Sequence, residues 1–323
     1  MPLIDLPPPK LREYAGRNPR PDDFDAYWAA ALRELDATPP EPELRPAAAA
    51  PATDRVECLE LWFTGVGGAR IHAKYVRPRD ARPGSCPAVL QFHGYAGHSG
   101  DWLDKLGWAA EGCCHATMDC RGQGGRSEDN GRVRGPTLRG HIVRGLEDPD
   151  PARLLYRQIF LDTVQLARVV LAFPEVDPAR AGCCGASQGG ALALACAALE
   201  PRISRTAPVY PFLCDYQRTW EMDQAREAYE ELRLFFRAFD PRHEREREIF
   251  TRLGYIDVQH LAPRIRAQTL MFTGLMDTIC LPSTQFAAFN RIPGPKEVVL
   301  YPDFGHEALP GQMDRTFAFL RGR

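Results

Sequence analysis

Hydrophobic positions along the chain switch between a period near 3.6 and a period near 2, and each switch marks an element boundary. After the paired acids Asp22-Asp23, the residues Phe24, Tyr27, Trp28, Leu32 and Leu35 recur at helical spacing, which predicts an amphipathic helix. The Pro/Ala stretch 38–52 has too few large apolar residues to build a core and reads as a linker or surface wrap, so residues 1–52 form an N-terminal extension. Two β-rich runs, 56–63 and 70–77, flank Gly65-Val66-Gly67-Gly68, a hairpin signal. Residues 87–92 and 113–118 then read as short buried strands, each running into a glycine-bearing loop.

Residues 154–173 return to helical spacing, with Leu155, Ile159, Val164, Leu166, Val169 and Val170 on the apolar face. Strand, helix, strand, helix implies a parallel sheet, and right-handed crossovers collect the strand C-termini on one rim. Further strands are expected at 206–210, 268–272 and 297–301, with helices at 283–290 and 312–320. Between them, 212–259 breaks the alternation with charged helical segments at 221–239 and 243–253, an insertion suited to a cap or an oligomer contact. Its charge run 242–248 reads as a solvated face. No internal repeat interrupts this order.

Composition narrows the class. With 323 residues, 44% of them hydrophobic and 25% charged, the chain can bury a full core as one large domain or two small ones. Forty basic against 42 acidic residues leave a net charge of −2, so bulk electrostatics indicates neither a nucleic-acid nor a membrane partner. The start, Met1-Pro2-Leu3-Ile4-Asp5-Leu6, lacks a basic segment followed by an apolar one, and the expected location is cytoplasmic. Ten cysteines, none in a CxxC pair, sit mostly in apolar runs and are read as reduced packing residues, with no metal site.

The chemistry gathers at Gly185-Ala186-Ser187-Gln188-Gly189, where an apolar run ends and an Ala/Leu-rich segment begins. A strand, a tight turn and a helix lift a serine hydroxyl above the sheet edge as a nucleophile elbow; a plain glycine turn is the alternative. Serine attacks a carbonyl only with a base beside it, and the base needs a carboxylate to fix its tautomer. Asp277 and His306 each lie a few residues beyond a predicted strand, in the chain order Ser, Asp, His. His93-Gly94-Tyr95 falls in the loop where oxyanion donors belong, which nominates the backbone amides of Tyr95 and Gln188. His93 reads as structural, and Asp119 is expected to pair with Arg121 inside their loop as a brace.

Together His93-Gly94-Tyr95, Arg121-Gly122-Gln123, Gly185-Ala186-Ser187-Gln188-Gly189, Gly274-Leu275-Met276-Asp277 and His306-Glu307 resemble the acetyl xylan esterase and cephalosporin C deacetylase family, carbohydrate esterase family seven, over nearly the whole chain. The resemblance implies a single α/β-hydrolase domain over 1–323, with a mostly parallel sheet flanked by helices. It implies removal of acetyl groups from short xylo-oligosaccharides and cephalosporin C-like acetates through an acetyl-serine, without a cofactor. Ser187 is then the nucleophile, His306 the base, Asp277 its orienter, Tyr95 and Gln188 the oxyanion donors, and Arg121, Gly122 and Gln123 a structural motif. Trp102 and Phe212 fall where family members line the acyl pocket, with ordinary core packing as the other reading. Family members are typically hexamers around an internal cavity. The chain departs from the pattern near 46–52 and in the loop 130–150, at the entrance and the oligomer contacts. A broader short-chain carboxylesterase and a non-catalytic binding scaffold remain the competing functions.

Overall fold

The computed structural model describes residues 4–133 and 140–322. Nine strands form one sheet: β1 (Glu43–Pro46), β2 (Val56–Thr64), β3 (Arg70–Pro78), β4 (Cys86–Phe92), β5 (Cys114–Met118), β6 (Val176–Ala186), β7 (Ile203–Val209), β8 (Gln268–Gly274) and β9 (Lys296–Tyr301). Their spatial order is β1-β2-β3-β5-β4-β6-β7-β8-β9. The first three strands are antiparallel, and β3 meets β5 antiparallel; every pairing from β5 through β9 is parallel. This is the α/β-hydrolase architecture, with the antiparallel opening that the 56–77 pattern predicts.

The chain leaves β4 in opposite directions, to β5 on one side and, after β5, to β6 on the other. Such a reversal leaves a crevice at the strand C-termini. Phe92 pairs with Gly185 there, so the loop after β4 and the turn after β6 leave the sheet side by side. Beneath them, the helix Gln188–Leu199 is buried at every residue but Ala198. A helix apolar all round must be enclosed, and the helix Leu155–Leu171, likewise buried almost throughout, packs over it.

Two expectations need correction. The 38–52 stretch is not merely a wrap: β1 pairs antiparallel with β2, Leu44 opposite Leu61, and widens the sheet by a strand. Backbone hydrogen bonds to an open edge need no run of large apolar side chains, and Pro46 closes this short strand as prolines do at sheet edges. The helix expected over 221–239 is two helices, Tyr216–Glu221 and Glu230–Phe239, because Asp223 and Glu227 between them adopt positive φ of 54° and 48°. The 134–139 part of the 130–150 loop lies outside the described residues.

The N-terminal extension is anchored at the base of the insertion. Asp215 accepts the Tyr14 hydroxyl at 2.7 Å and the backbone amides of Arg17 and Asn18. Trp28, fully buried on the helix Phe24–Asp36, donates its indole N–H to the Tyr255 carbonyl. Among the described residues, no helix is long and apolar enough to cross a membrane.

Candidate active site

Ser187 sits between β6 and the helix Gln188–Leu199 with φ 58° and ψ −120°, a conformation that costs a non-glycine residue energy and marks a functional turn. Two bonds hold it: the Ser187 N–H donates to Val209 O, and the Phe212 N–H donates to Ser187 O, each at 3.0 Å. The flanking glycines are needed for space. A Cβ on Gly189 would stand 2.0 Å from the Phe92 carbonyl oxygen, and one on Gly185 would stand 2.5 Å from Gly189. As the first residue of its helix, Gln188 has no intrahelical acceptor for its N–H.

The loops after β8 and β9 are zipped together, Leu275 N–H to Tyr301 O and Met276 N–H to Phe304 O, both at 2.9 Å. That contact brings Asp277 against His306, with Nδ1 and Oδ2 at 2.8 Å. Asp277 is fully buried, and its other oxygen accepts the amides of Ile279 and Cys280 at 2.9 and 2.8 Å. With Nδ1 committed to the carboxylate, Nε2 is the nitrogen left to accept a proton. The imidazole packs on Tyr210, ring centroids 4.5 Å apart, and Glu307 caps the turn by accepting the Gly305 N–H. In the resting structure the Ser187 hydroxyl contacts the Cys280 thiol at 4.0 Å.

The Arg121-Gly122-Gln123 motif braces this site, although not as expected. Arg121 does not pair with Asp119. Its Nε and Nη2 donate to the two oxygens of Asp162 at 2.7 and 2.6 Å, both residues fully buried, and Nη1 reaches Gln158 at 2.8 Å. A bidentate guanidinium fork fits a carboxylate on the facing helix, whereas Asp119 is occupied elsewhere. Asp119 takes His72 Nδ1 at 2.7 Å and the amides of Ser99 and Arg126. Burial opposes its ionisation, but these bonds hold its carboxyl well below the usual range.

Gln123 and Gln188 face each other as reciprocal amides, at 2.8 and 3.0 Å. Gln123 also accepts the Ala96 N–H, while the Gln188 side chain donates to the carbonyls of His93 and Gly94 and accepts the Tyr156 hydroxyl. His93 Nε2 accepts the Cys120 N–H and Nδ1 lies 2.7 Å from Gly94 O, so the ring staples the loops after β4 and β5. Burial lowers its pKa. The loop carrying Tyr95 is thus tied on both sides of that residue.

Of the two expected pocket residues, Phe212 is fully buried beside the elbow, its ring 5.8 Å from that of Tyr95. Trp102 is not brought there. It packs with Val56, Val76 and Ala109, beneath the Lys74 ammonium, in a cluster separate from that of Phe212. Cys280, buried in the core as a free thiol as its apolar surroundings in the sequence predict, also stands with Asp277 and His306, their ligand atoms within 4.8 Å of one another. Among the described residues, these are the ones that come near to a metal-binding set. Burial pushes the Cys280 thiol up, however, and both Asp277 oxygens are already engaged, which suits an acid and base dyad better than a cation. All ten cysteines are free.

A family model described as acetyl xylan esterase (AXE1) matches residues 1–323. The chain belongs to the acetyl xylan esterase family. That family is one of carboxylic ester hydrolases. Acetyl xylan esterase 1 from Thermoanaerobacterium sp. JW/SL YS485 is 53% identical with a TM-score of 0.95, covering 98% of this chain and 99% of its own. The acetyl xylan esterase from Paenibacillus sp. R4 is 36% identical with a TM-score of 0.93, over the same shares of the two chains. Acetyl esterase Axe7A of Xylanibacter ruminicola is 26% identical over 305 residues, 93% of this chain; the match spans 66% of that longer relative.

Proposed function

We propose that this acetyl xylan esterase family member hydrolyses acetyl esters of small substrates, acetylated xylo-oligosaccharides and cephalosporin C-like acetates among them, through an acetyl-serine intermediate. The observation that carries this reading is the Asp277–His306 pair at 2.8 Å beside a serine held at positive φ. Ser187 Oγ attacks the acetyl carbonyl while His306 Nε2 takes its proton, and Asp277 stabilises the imidazolium. The tetrahedral oxyanion is received by the amides of Tyr95 and Gln188. Collapse breaks the ester C–O bond, and the imidazolium protonates the departing alcohol. Water then attacks the acetyl-serine with His306 again as base, and collapse breaks the bond between Ser187 Oγ and the acyl carbon, the imidazolium returning its proton to Oγ as acetate leaves.

Phe212, packed against Tyr95 and bonded through its amide to Ser187 O, supports a short acyl pocket. Free cysteines support a reducing, cytoplasmic setting. The same reading takes 1–323 as one domain, with 212–259 as cap and oligomer contact of a hexamer. Hydrolysis of p-nitrophenyl acetate, butyrate and octanoate by wild type and Ser187→Ala tests it. Acetate is expected to be preferred and the variant inactive; equal activity of the variant would sink the assignment.

A further inference from the structure

Glu231 lies in the first turn of the helix Glu230–Phe239, inside the insertion, and is only 3% exposed. A buried carboxylate needs partners. Among the described residues no arginine or lysine pairs with it; the carboxylate instead accepts the Tyr95 hydroxyl at 2.6 Å and the Val143 N–H at 2.9 Å. The His141 N–H donates to the same tyrosine oxygen at 3.2 Å. The backbone closes tightly around this group: a Cβ on Gly140 would stand 2.3 Å from a Glu231 oxygen. The Tyr95 ring is further wedged between His141 and Phe212, at centroid distances of 4.9 and 5.8 Å.

Tyr95 follows Gly94, where a Cβ would meet nothing within 4 Å, and precedes Ala96, whose φ is 56°. The peptide between Gly94 and Tyr95 is held at its carbonyl end, where Gly94 O meets His93 Nδ1 and accepts the Gly97 N–H and the Gln188 side-chain amide, and at its Tyr95 end by the fixed tyrosine side chain. We propose that Glu231 is a positioning residue for the oxyanion-binding amide of Tyr95, acting through the tyrosine hydroxyl. The inference rests on the esterase reading above. It gives the insertion a part in the reaction: the cap helix holds one end of the tyrosine, and the other end supplies the donor. Displacing a preorganised donor weakens binding of the transition state more than binding of the ester, so the loss falls on kcat.

The test compares wild type, Tyr95→Phe, Glu231→Gln and the double variant, using p-nitrophenyl acetate kinetics and affinity for a small alkylboronate that forms a tetrahedral serine adduct. Tyr95→Phe is expected to lower kcat by roughly tenfold or more, with KM within about twofold and boronate affinity reduced by the same factor as kcat. Glu231→Gln should move kcat the same way, and the double variant should be no worse than the poorer single one. Should Glu231→Gln fail to fold, Tyr95→Phe decides alone. Unchanged kcat in Tyr95→Phe, a loss confined to KM, or losses that multiply in the double variant would overturn the inference. If wild type hydrolyses the ester in a Ser187-dependent way while Tyr95→Phe is unimpaired, only this inference fails; an inactive wild type that a fluorophosphonate does not label overturns both.

Discussion

Arg121→Met is the most severe single test of the brace beneath the site. Arg121 and Asp162 are both fully buried and joined by two bonds of 2.7 and 2.6 Å, and Arg121 also donates to Gln158 and the Val66 carbonyl. Removing the cation strands a buried carboxylate, which costs about 3–5 kcal/mol. Burial already raises the Asp162 pKa against the lowering pull of Arg121, so losing the guanidinium raises it further. The sign follows: an acid whose native pKa lies above its unfolded value favours the folded state less as pH rises through that native value. The defect of Arg121→Met should therefore deepen with increasing pH. Replacing both partners, Arg121→Met with Asp162→Leu, removes the charges together and should recover most of the loss. Urea unfolding followed by tryptophan fluorescence at several pH values measures all three proteins. A single variant within about 1 kcal/mol of wild type, or a double variant no more stable than the single, would refute the reasoning. Recovered stability should not bring full kcat with it, because Arg121 also fixes the loop from which Gln123 holds the Ala96 N–H.

Asp277→Asn is expected to cut kcat by about 10⁴ while the protein stays folded, because the wrong imidazole tautomer is then favoured; stopped assays with circular dichroism check this, and a loss under tenfold would contradict the orienting role. Gly189→Ala should abolish soluble, active protein, since its Cβ would stand 2.0 Å from the Phe92 carbonyl oxygen; a well-folded variant would show that the elbow can relax. Burial pushes the carboxyls of Glu231 and Asp257 each up to about 7, above their unfolded values. Their contribution to stability is complete below the unfolded pKa and is lost as pH rises through about 7, so Asp257→Asn should flatten the pH 5 to 8 stability profile, and an unchanged slope would refute this.

Much of the fold was legible because sheet and helix leave different periods in the sequence. The hairpin of β2 and β3, the parallel strands after it and the helix Leu155–Leu171 follow the alternation closely. What escaped was governed by the backbone. β1 pairs through amides and carbonyls that any sequence provides, so Glu43–Pro46 carries no apolar signature. The break after Glu221 depends on two acidic residues at positive φ inside a stretch whose apolar spacing continues unbroken.

In the site, residues attached to a turn or strand end could be placed from sequence, since Ser187, Asp277 and His306 take their positions from the sheet rim. Partner choice could not. Asp119 and Arg121 are two residues apart and of opposite charge, yet each bonds to a group on another element, because local proximity does not orient two side chains toward each other. Gln188 shows the same limit. Its backbone amide follows from helix geometry, but its side chain depends on Gln123 and Tyr156 from two other segments. That arrangement also explains why the residue is an amide: it must donate to the carbonyls of His93 and Gly94 and accept from Tyr156 and Gln123 at once. A glutamate of the same shape would offer only acceptors when ionised and would turn charge toward two carbonyl oxygens. A neutral lattice thus holds the loop that carries Tyr95 without bringing a further carboxylate against the carbonyls of His93 and Gly94.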